Sequence, residues 1–180
     1  MIPYINDPSD ESGLKFKPHQ TQFKMQTLTS NNVVVATPRY VLLIDNEKMG
    51  PTVLLGDPDS RCVAIYGFSD KGPYDKFREN GDLSLKPYPL VKGYLRNQLS
   101  NDNGNESECL RLVVLDSSSP DERLVHAASM QAVLDSMMNQ KPDVPAEYKL
   151  SLVKANGVYR LDDTQQSQIQ SNITKQYETK

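Results

Sequence analysis

Apolar residues in the middle of the chain occur in short runs separated by turn residues, a pattern typical of β-strands. Pro38 ends one of these runs, because proline has no backbone N–H to donate. The segment Gly56-Asp57-Pro58-Asp59 combines residues that favour a tight turn, and it predicts a hairpin between the strands on either side. Short connections among the first five strands favour an antiparallel meander. The predicted strands are 22–28, 33–37, 40–45, 52–55, 61–68, 110–116, 147–154 and 158–161.

Two helices are predicted between the fifth and sixth strands. The first covers 73–79, because Pro73 suits a first helical turn and Asn80-Gly81 suits a helix end. The second covers 90–99 and follows Pro89, with its apolar residues on one broad stripe.

A third helix is predicted from the segment Ser119-Pro120-Asp121-Glu122, which has the pattern of a capping box. In that arrangement the serine hydroxyl and the glutamate carboxylate each accept a hydrogen bond from a free amide of the first turn. The helix should extend to about Asn139. With the strands before and after it, this helix could form a parallel crossover over 110–152. The dipeptide Asn156-Gly157 then predicts a two-residue hairpin turn.

These elements predict an α+β fold, in which one long capped helix packs on a mostly antiparallel sheet of about six to eight strands with three helices in all. We expect an extended N-terminal arm at 1–21, a single domain at 22–161 and a polar tail at 162–180. The composition of the tail favours disorder. The spacing of four between Ile169, Ile173 and Tyr177 leaves a weak amphipathic helix open.

Composition agrees with one domain that has polar ends. The chain has 180 residues, a formal net charge of -3, 37% hydrophobic residues and no tryptophan. Its mean hydropathy is -0.58. The mild acidity argues against a dedicated nucleic-acid-binding domain, which is usually strongly basic. We expect a cytoplasmic protein without a membrane partner, since neither a secretory signal nor a long apolar run is evident.

The residue types that most often carry catalysis are scarce. Phosphate-binding, nucleophile-elbow and zinc-binding motifs are missing from the sequence. Cys62 and Cys109 each begin an apolar run, where a buried thiol is expected. His19 is expected in solvent, and His126 should lie among methionines on the third helix. We therefore predict no catalytic residue, metal site or cofactor.

Charge is distributed unevenly along the chain. The segment 71–96 carries a net charge of +3 and the segment 102–122 carries -5. The basic segment also contains aromatic residues, which can stack on nucleic-acid bases when they are exposed. The third helix is apolar nearly all round and rich in methionine, so part of its surface should be covered by the N-terminal arm or by another subunit.

These features favour a non-enzymatic protein-interaction module that could self-associate. One alternative is a small-molecule-binding protein or enzyme, with a pocket between the sheet and the helices lined by Asp70, Tyr74, Cys109 and His126. A second alternative is a weak nucleic-acid contact through the basic and aromatic residues of segment 71–96. The candidate binding residues are Lys71, Tyr74, Lys92, Arg96, His126, Val133 and Met137.

Overall fold

The computed structural model describes residues 33–56, 60–81, 85–100 and 109–162. The predicted arm 1–21, the strand 22–28 and the tail from residue 163 onward lie outside these residues, as does His19. The described strands are β1 (Val34–Ala36), β2 (Tyr40–Ile44), β3 (Glu47–Lys48), β4 (Thr52–Leu54), β5 (Arg61–Phe68), β6 (Lys86–Pro89), β7 (Cys109–Leu115), β8 (Leu124–Ser129), β9 (Asp143–Pro145), β10 (Tyr148–Lys154) and β11 (Val158–Leu161). The described helices are α1 (Lys71–Gly81), α2 (Lys92–Ser100) and α3 (Met130–Met138).

The predicted α+β class is confirmed, with three helices and a mostly antiparallel sheet in the described residues. The main sheet has nine strands, in the order β3-β2-β5-β7-β8-β10-β11-β4 with β6 also paired to β2. Strands β1 and β9 form a separate antiparallel pair. Two pairs in the main sheet are parallel, namely β5 with β7 and β4 with β11.

The connections differ from those predicted. The parallel crossover joins β5 to β7 and contains both α1 and α2, whereas β7 and β8 are antiparallel neighbours. The predicted crossover over 110–152 is therefore wrong. Strand β4 lies beside β11, whose paired residues come 106 positions later in the chain, rather than in a hairpin with β5. Residues 57–59 of the predicted turn lie outside the described residues.

The third helix begins later than predicted. Residues 124–129 form strand β8, and α3 starts at Met130 with Ser129 as its N-cap. The Ser129 hydroxyl accepts a hydrogen bond from the Ala132 amide at 3.1 Å. Glu122 does cap a backbone amide, but that amide belongs to Ser118 and lies in the turn after β7, at 2.6 Å. The capping chemistry is thus present without a helix, because the following residues alternate between the two faces of the sheet.

Two local features of the sheet follow from residue chemistry. Asn156 and Gly157 both have positive φ, at 67° and 73°, and the predicted hairpin between β10 and β11 is confirmed. Its loop is longer than the predicted two residues, because Lys154 pairs with Val158 and residues 155–157 lie between them. Strand β6 was not predicted, because it contains Pro87 and Pro89. It pairs only with β2, and prolines are tolerated on such a sheet edge, where the missing N–H faces away from a partner.

Buried apolar residues form two clusters on opposite faces of the sheet. Successive residues of β5 and β7 alternate between them, as strand geometry requires. Helix α1 covers the first cluster, and α2 and α3 cover the second. None of the described helices is long and apolar enough to cross a membrane.

Two buried tyrosines should make the fold sensitive to alkaline pH. Burial is the main cause that raises the pKa of Tyr66 far above its usual range and that of Tyr159 to about 12. In the unfolded chain both phenols should titrate near pH 10. These two shifts should leave stability unchanged below pH 10 and should lower it as pH rises from 10 to 12, by up to about 1.4 kcal/mol per pH unit for each tyrosine. Burial also raises the pKa of the Cys62 thiol to about 12, so this thiol should add a loss that begins near pH 9. Urea unfolding at several pH values measures this slope.

The variant Tyr66→Phe is the control for the alkaline effect. The Tyr66 hydroxyl is buried and has no hydrogen-bond partner among the described residues, so its loss should cost little stability at neutral pH. The slope between pH 10 and 12 should fall by up to about 1.4 kcal/mol per pH unit, which is the share of Tyr66, while the shares of Tyr159 and Cys62 remain. An unchanged slope in this variant would show that other groups cause the alkaline loss.

Candidate functional site

A concave surface lies where the connection from β1 to β2 meets the start of α2 and the end of α3. Its volume is about 420 Å³. We call it the basic cavity, because each of its charged residues is a lysine or an arginine. It is lined by Thr37, Pro38, Arg39, Leu90, Lys92, Met137, Gln140, Lys141 and Pro142.

Backbone hydrogen bonds hold the three wall segments of the basic cavity together. The amide of Thr37 donates to the carbonyl of Pro142 at 2.8 Å, and the Thr37 hydroxyl donates to the carbonyl of Lys141 at 3.0 Å. On the other side, the amide of Leu90 donates to the carbonyl of Arg39 at 2.8 Å. The cavity is therefore built from main chain that is tied to itself, and its charged side chains are free of this structural role.

The end of α3 is closed by its own capping bonds. Both the amide and the side-chain nitrogen of Asn139 donate to the carbonyl of Asp135, at 3.0 and 2.8 Å. Gln140 then adopts a φ of 53°, and the amide of Lys141 donates to the carbonyl of Ser136 at 2.9 Å. These bonds satisfy carbonyls at the negative end of the helix, so that end opposes an incoming anion less than a bare one would.

Three positive charges converge on the basic cavity without a carboxylate among its lining residues. Arg39 and Lys141 are exposed and Lys92 is half-buried. Among the described residues, no ion pair involves any of the three. By contrast, Lys71 and Arg78 on α1 both pair with Asp75. Unpaired like charges in one concavity repel each other and attract an anion, which would relieve that repulsion.

The basic cavity also has an apolar part. Leu90 is only 4% exposed, Pro38 is buried and Met137 is half-buried. Methionine adapts its shape to a neighbour because its side chain is unbranched and flexible. The cavity can therefore contact an apolar group next to a negative one.

Two of the predicted binding residues, Lys92 and Met137, line the basic cavity. Arg96 lies on the next turn of α2 and donates from Nη2 to the sulfur of Met138 at 3.0 Å. Val133 is fully buried in the second apolar cluster, so it cannot belong to a contact surface as expected. Most of the apolar surface of α3 is covered by α2 and the sheet, whereas Met138 near its end is 46% exposed.

The basic segment 71–96 is divided between the two faces of the sheet. Tyr74 on α1 is buried in the first apolar cluster, whereas α2 packs on the second. Lys71 lies 5.8 Å from the centroid of the Tyr74 ring and forms an ion pair with Asp75. Lys71 and Tyr74 therefore do not join Lys92 and Arg96 in one surface, contrary to the expectation of a single basic and aromatic site.

His126 lies on strand β8, not on a helix as predicted, opposite Leu115 and Lys149 in the register. Its Nδ1 atom is buried and has no hydrogen-bond partner among the described residues. Asp70 and Cys109 do not meet in one pocket, because Cys109 is the first residue of β7 and Asp70 lies two residues after the end of β5, at the opposite end of these parallel strands. At about 3.3 Å per residue, these strands separate them by roughly 20 Å.

Arg39 and Lys141 complete the basic cavity, and sequence reasoning did not identify them. Each lies next to a proline in a connection, where a lone charged residue is usually solvated. No pattern in the chain relates positions 39, 92 and 141, so only the folded structure could bring them together.

Within the described residues, no group of three or more histidine, cysteine, aspartate or glutamate side chains is placed to hold a metal ion. Comparison of the chain with protein-family models, curated proteins and solved structures finds no match.

Proposed function

We propose that the chain is a non-enzymatic binding module whose basic cavity recognises an anionic group of another molecule. The observation that carries the proposal is the convergence of Arg39, Lys92 and Lys141 on one concavity, to whose lining the described residues contribute no carboxylate. Surface cations are usually interspersed with acids, as Lys71 and Arg78 are with Asp75. Three unpaired cations cost electrostatic free energy in the free protein, and an anion would recover it.

The open shape of the basic cavity favours binding over catalysis. The described residues of its lining include neither a histidine nor an acid, so they supply no general base. Among the same residues Thr37 alone carries a hydroxyl group, and this hydroxyl already donates to the carbonyl of Lys141. A nucleophile of this kind would need an adjacent base to activate it.

Replacing all three cations by glutamine should remove anion binding. Inorganic pyrophosphate is the probe, and its dissociation constant is measured by NMR titration of the full chain in 50 mM and 200 mM salt. The variant with Arg39→Gln, Lys92→Gln and Lys141→Gln should bind about 10- to 100-fold more weakly, which corresponds to roughly 0.5–1 kcal/mol for each exposed charge. In the unaltered chain, binding should weaken as salt rises.

The matched control removes the same amount of charge elsewhere. The variant with Lys71→Gln, Lys76→Gln and Lys154→Gln should bind pyrophosphate almost as well as the unaltered chain. If the two triple variants weaken binding equally, bulk charge accounts for the effect and the basic cavity is not a site. Unchanged binding in the first variant would also contradict the proposal.

A further inference from the structure

Resting on the proposed function, we infer that the anionic group is carried by a segment of a partner protein in which acidic and apolar side chains alternate. The basic cavity would bind carboxylates at Arg39, Lys92 and Lys141 and an apolar side chain against Met137. A nucleic acid and a free phosphate are the competing ligands. The cavity chemistry disfavours each of them for a different reason.

A nucleic-acid strand would need a row of cations along its phosphate backbone. The basic residues of segment 71–96 do not form such a row. Helix α1 packs on the face of the sheet opposite α2, and two of its basic residues, Lys71 and Arg78, are paired with Asp75. On α2, the Arg96 guanidinium is directed to the sulfur of Met138. The cations of α1 and α2 are thus divided between two faces of the sheet, whereas phosphate binding by nucleic-acid proteins draws on many contacts along one surface.

Nucleobases would also find no stacking surface in the basic cavity. No aromatic residue lines it within the part of the chain that the structure describes. The aromatic residue of α2 that follows the lining residue Lys92 most closely in sequence is Tyr94. Its ring is covered by the Lys48 ammonium group, which lies 3.7 Å from the ring centroid. Proteins that bind single strands rely on exposed aromatic rings for stacking, so this element of recognition is missing here.

A free phosphate would leave much of the basic cavity unused. The volume of about 420 Å³ has room for on the order of ten water molecules at ~30 Å³ each, more than one small anion fills. Pro38, Leu90, Met137 and Pro142 supply four of its nine lining residues. An apolar side chain placed among them would gain from the removal of apolar surface from water, and a bare anion would not.

The inference is tested with two labelled octapeptides of equal charge, one alternating Glu and Leu and the other alternating Glu and Ser. Fluorescence anisotropy with the full chain measures both affinities. The Glu–Leu peptide should bind about ten-fold more tightly than the Glu–Ser peptide. It should also bind more tightly than an oligothymidylate of the same charge.

The variant Met137→Gln separates the apolar contact from the charges. It should lower the affinity for the Glu–Leu peptide to that for the Glu–Ser peptide, while binding of the Glu–Ser peptide stays unchanged. The control is Met138→Gln, since Met138 is the neighbouring exposed methionine and does not line the basic cavity. This control should leave both affinities as they are.

Two results would overturn the inference and leave the proposed function intact. One is equal affinity for the two peptides, and the other is tighter binding of the oligothymidylate than of either peptide. In both cases the Arg39/Lys92/Lys141 variant must lose binding. If that variant binds every anion as well as the unaltered chain does, the proposed function itself fails, and the inference fails with it.

Discussion

Replacing Gly50 by alanine should destabilise the fold by at least about 3 kcal/mol, near the upper end of the usual cost of overpacking. A Cβ atom on Gly50 would overlap the carbonyl oxygen of Ala64. It would also lie 2.5 Å from the carbonyl carbon of Ala64 and 2.8 Å from the Cα of Ile65. All three are backbone atoms of β5, so no side-chain rotation can make room. The connection between β3 and β4, which contains Gly50, would have to move away from β5.

The position of Gly50 makes such a movement costly. The preceding residue, Met49, donates from its amide to the carbonyl of Leu42 at 2.8 Å and accepts from the amide of Tyr66 at 3.0 Å. Strand β5 is also paired to β2 and to β7. A shift at Gly50 would therefore strain hydrogen bonds to two strands at once.

Urea unfolding followed by circular dichroism measures the effect of Gly50→Ala. The matched control is Gly72→Ala in α1, where an added Cβ meets nothing within 4 Å. There the substitution should be neutral or should stabilise by up to about 1 kcal/mol, since alanine favours the helix. An unchanged unfolding midpoint for Gly50→Ala would contradict the close approach of this segment to β5.

Replacing Phe77 by alanine should cost about 3–5 kcal/mol, the range for large aromatic residues in a core. Phe77 is fully buried and anchors α1 to the sheet. Its ring centroid lies 4.6 Å from that of Tyr66 and 5.3 Å from that of Phe68. Truncation would remove both ring contacts and leave a cavity between α1 and the sheet. Strand β5, which carries both Tyr66 and Phe68, is held by its pairing and cannot move to fill it.

Thermal and urea unfolding of Phe77→Ala should both show the loss. Tyr88→Ala provides the control, because Tyr88 lies on the edge strand β6 and is 48% exposed. That substitution should change stability by less than about 0.5 kcal/mol. Similar losses for the two variants would mean that α1 does not depend on Phe77 for its place on the sheet.

The parts of the fold predicted well are those encoded by neighbouring residues. Asn156-Gly157 specifies a hairpin because both residues accept positive φ, and the strands beside it are adjacent in the chain. Short runs of apolar residues likewise placed β5 and β7 to within one residue. Pairing between distant strands left no such local signal, so the neighbours β4 and β11 were missed.

The third helix shows how tertiary packing overrides a local signal. The capping pattern at Ser119–Glu122 is real, and the Glu122 carboxylate accepts the hydrogen bond from the Ser118 amide. The chain nevertheless continues as strand β8. Pairing with β7 and β10 places Val125 and Ala127 on the same face of the sheet and buries both in the first apolar cluster. Residues two apart lie on different sides of a helix, so the predicted helix would not bury them together.

The sequence by itself determined the class of fold, most of the local elements and the uneven distribution of charge. These depend on backbone preferences and on the period of apolar residues, which act over a few positions. Only the tertiary structure decided which face each helix covers, and hence which cations meet. Arg39, Lys92 and Lys141 converge because the segments that carry them are hydrogen-bonded or packed together around α2 and α3. Lys71 is separated from them because α1 packs on the opposite face of the sheet.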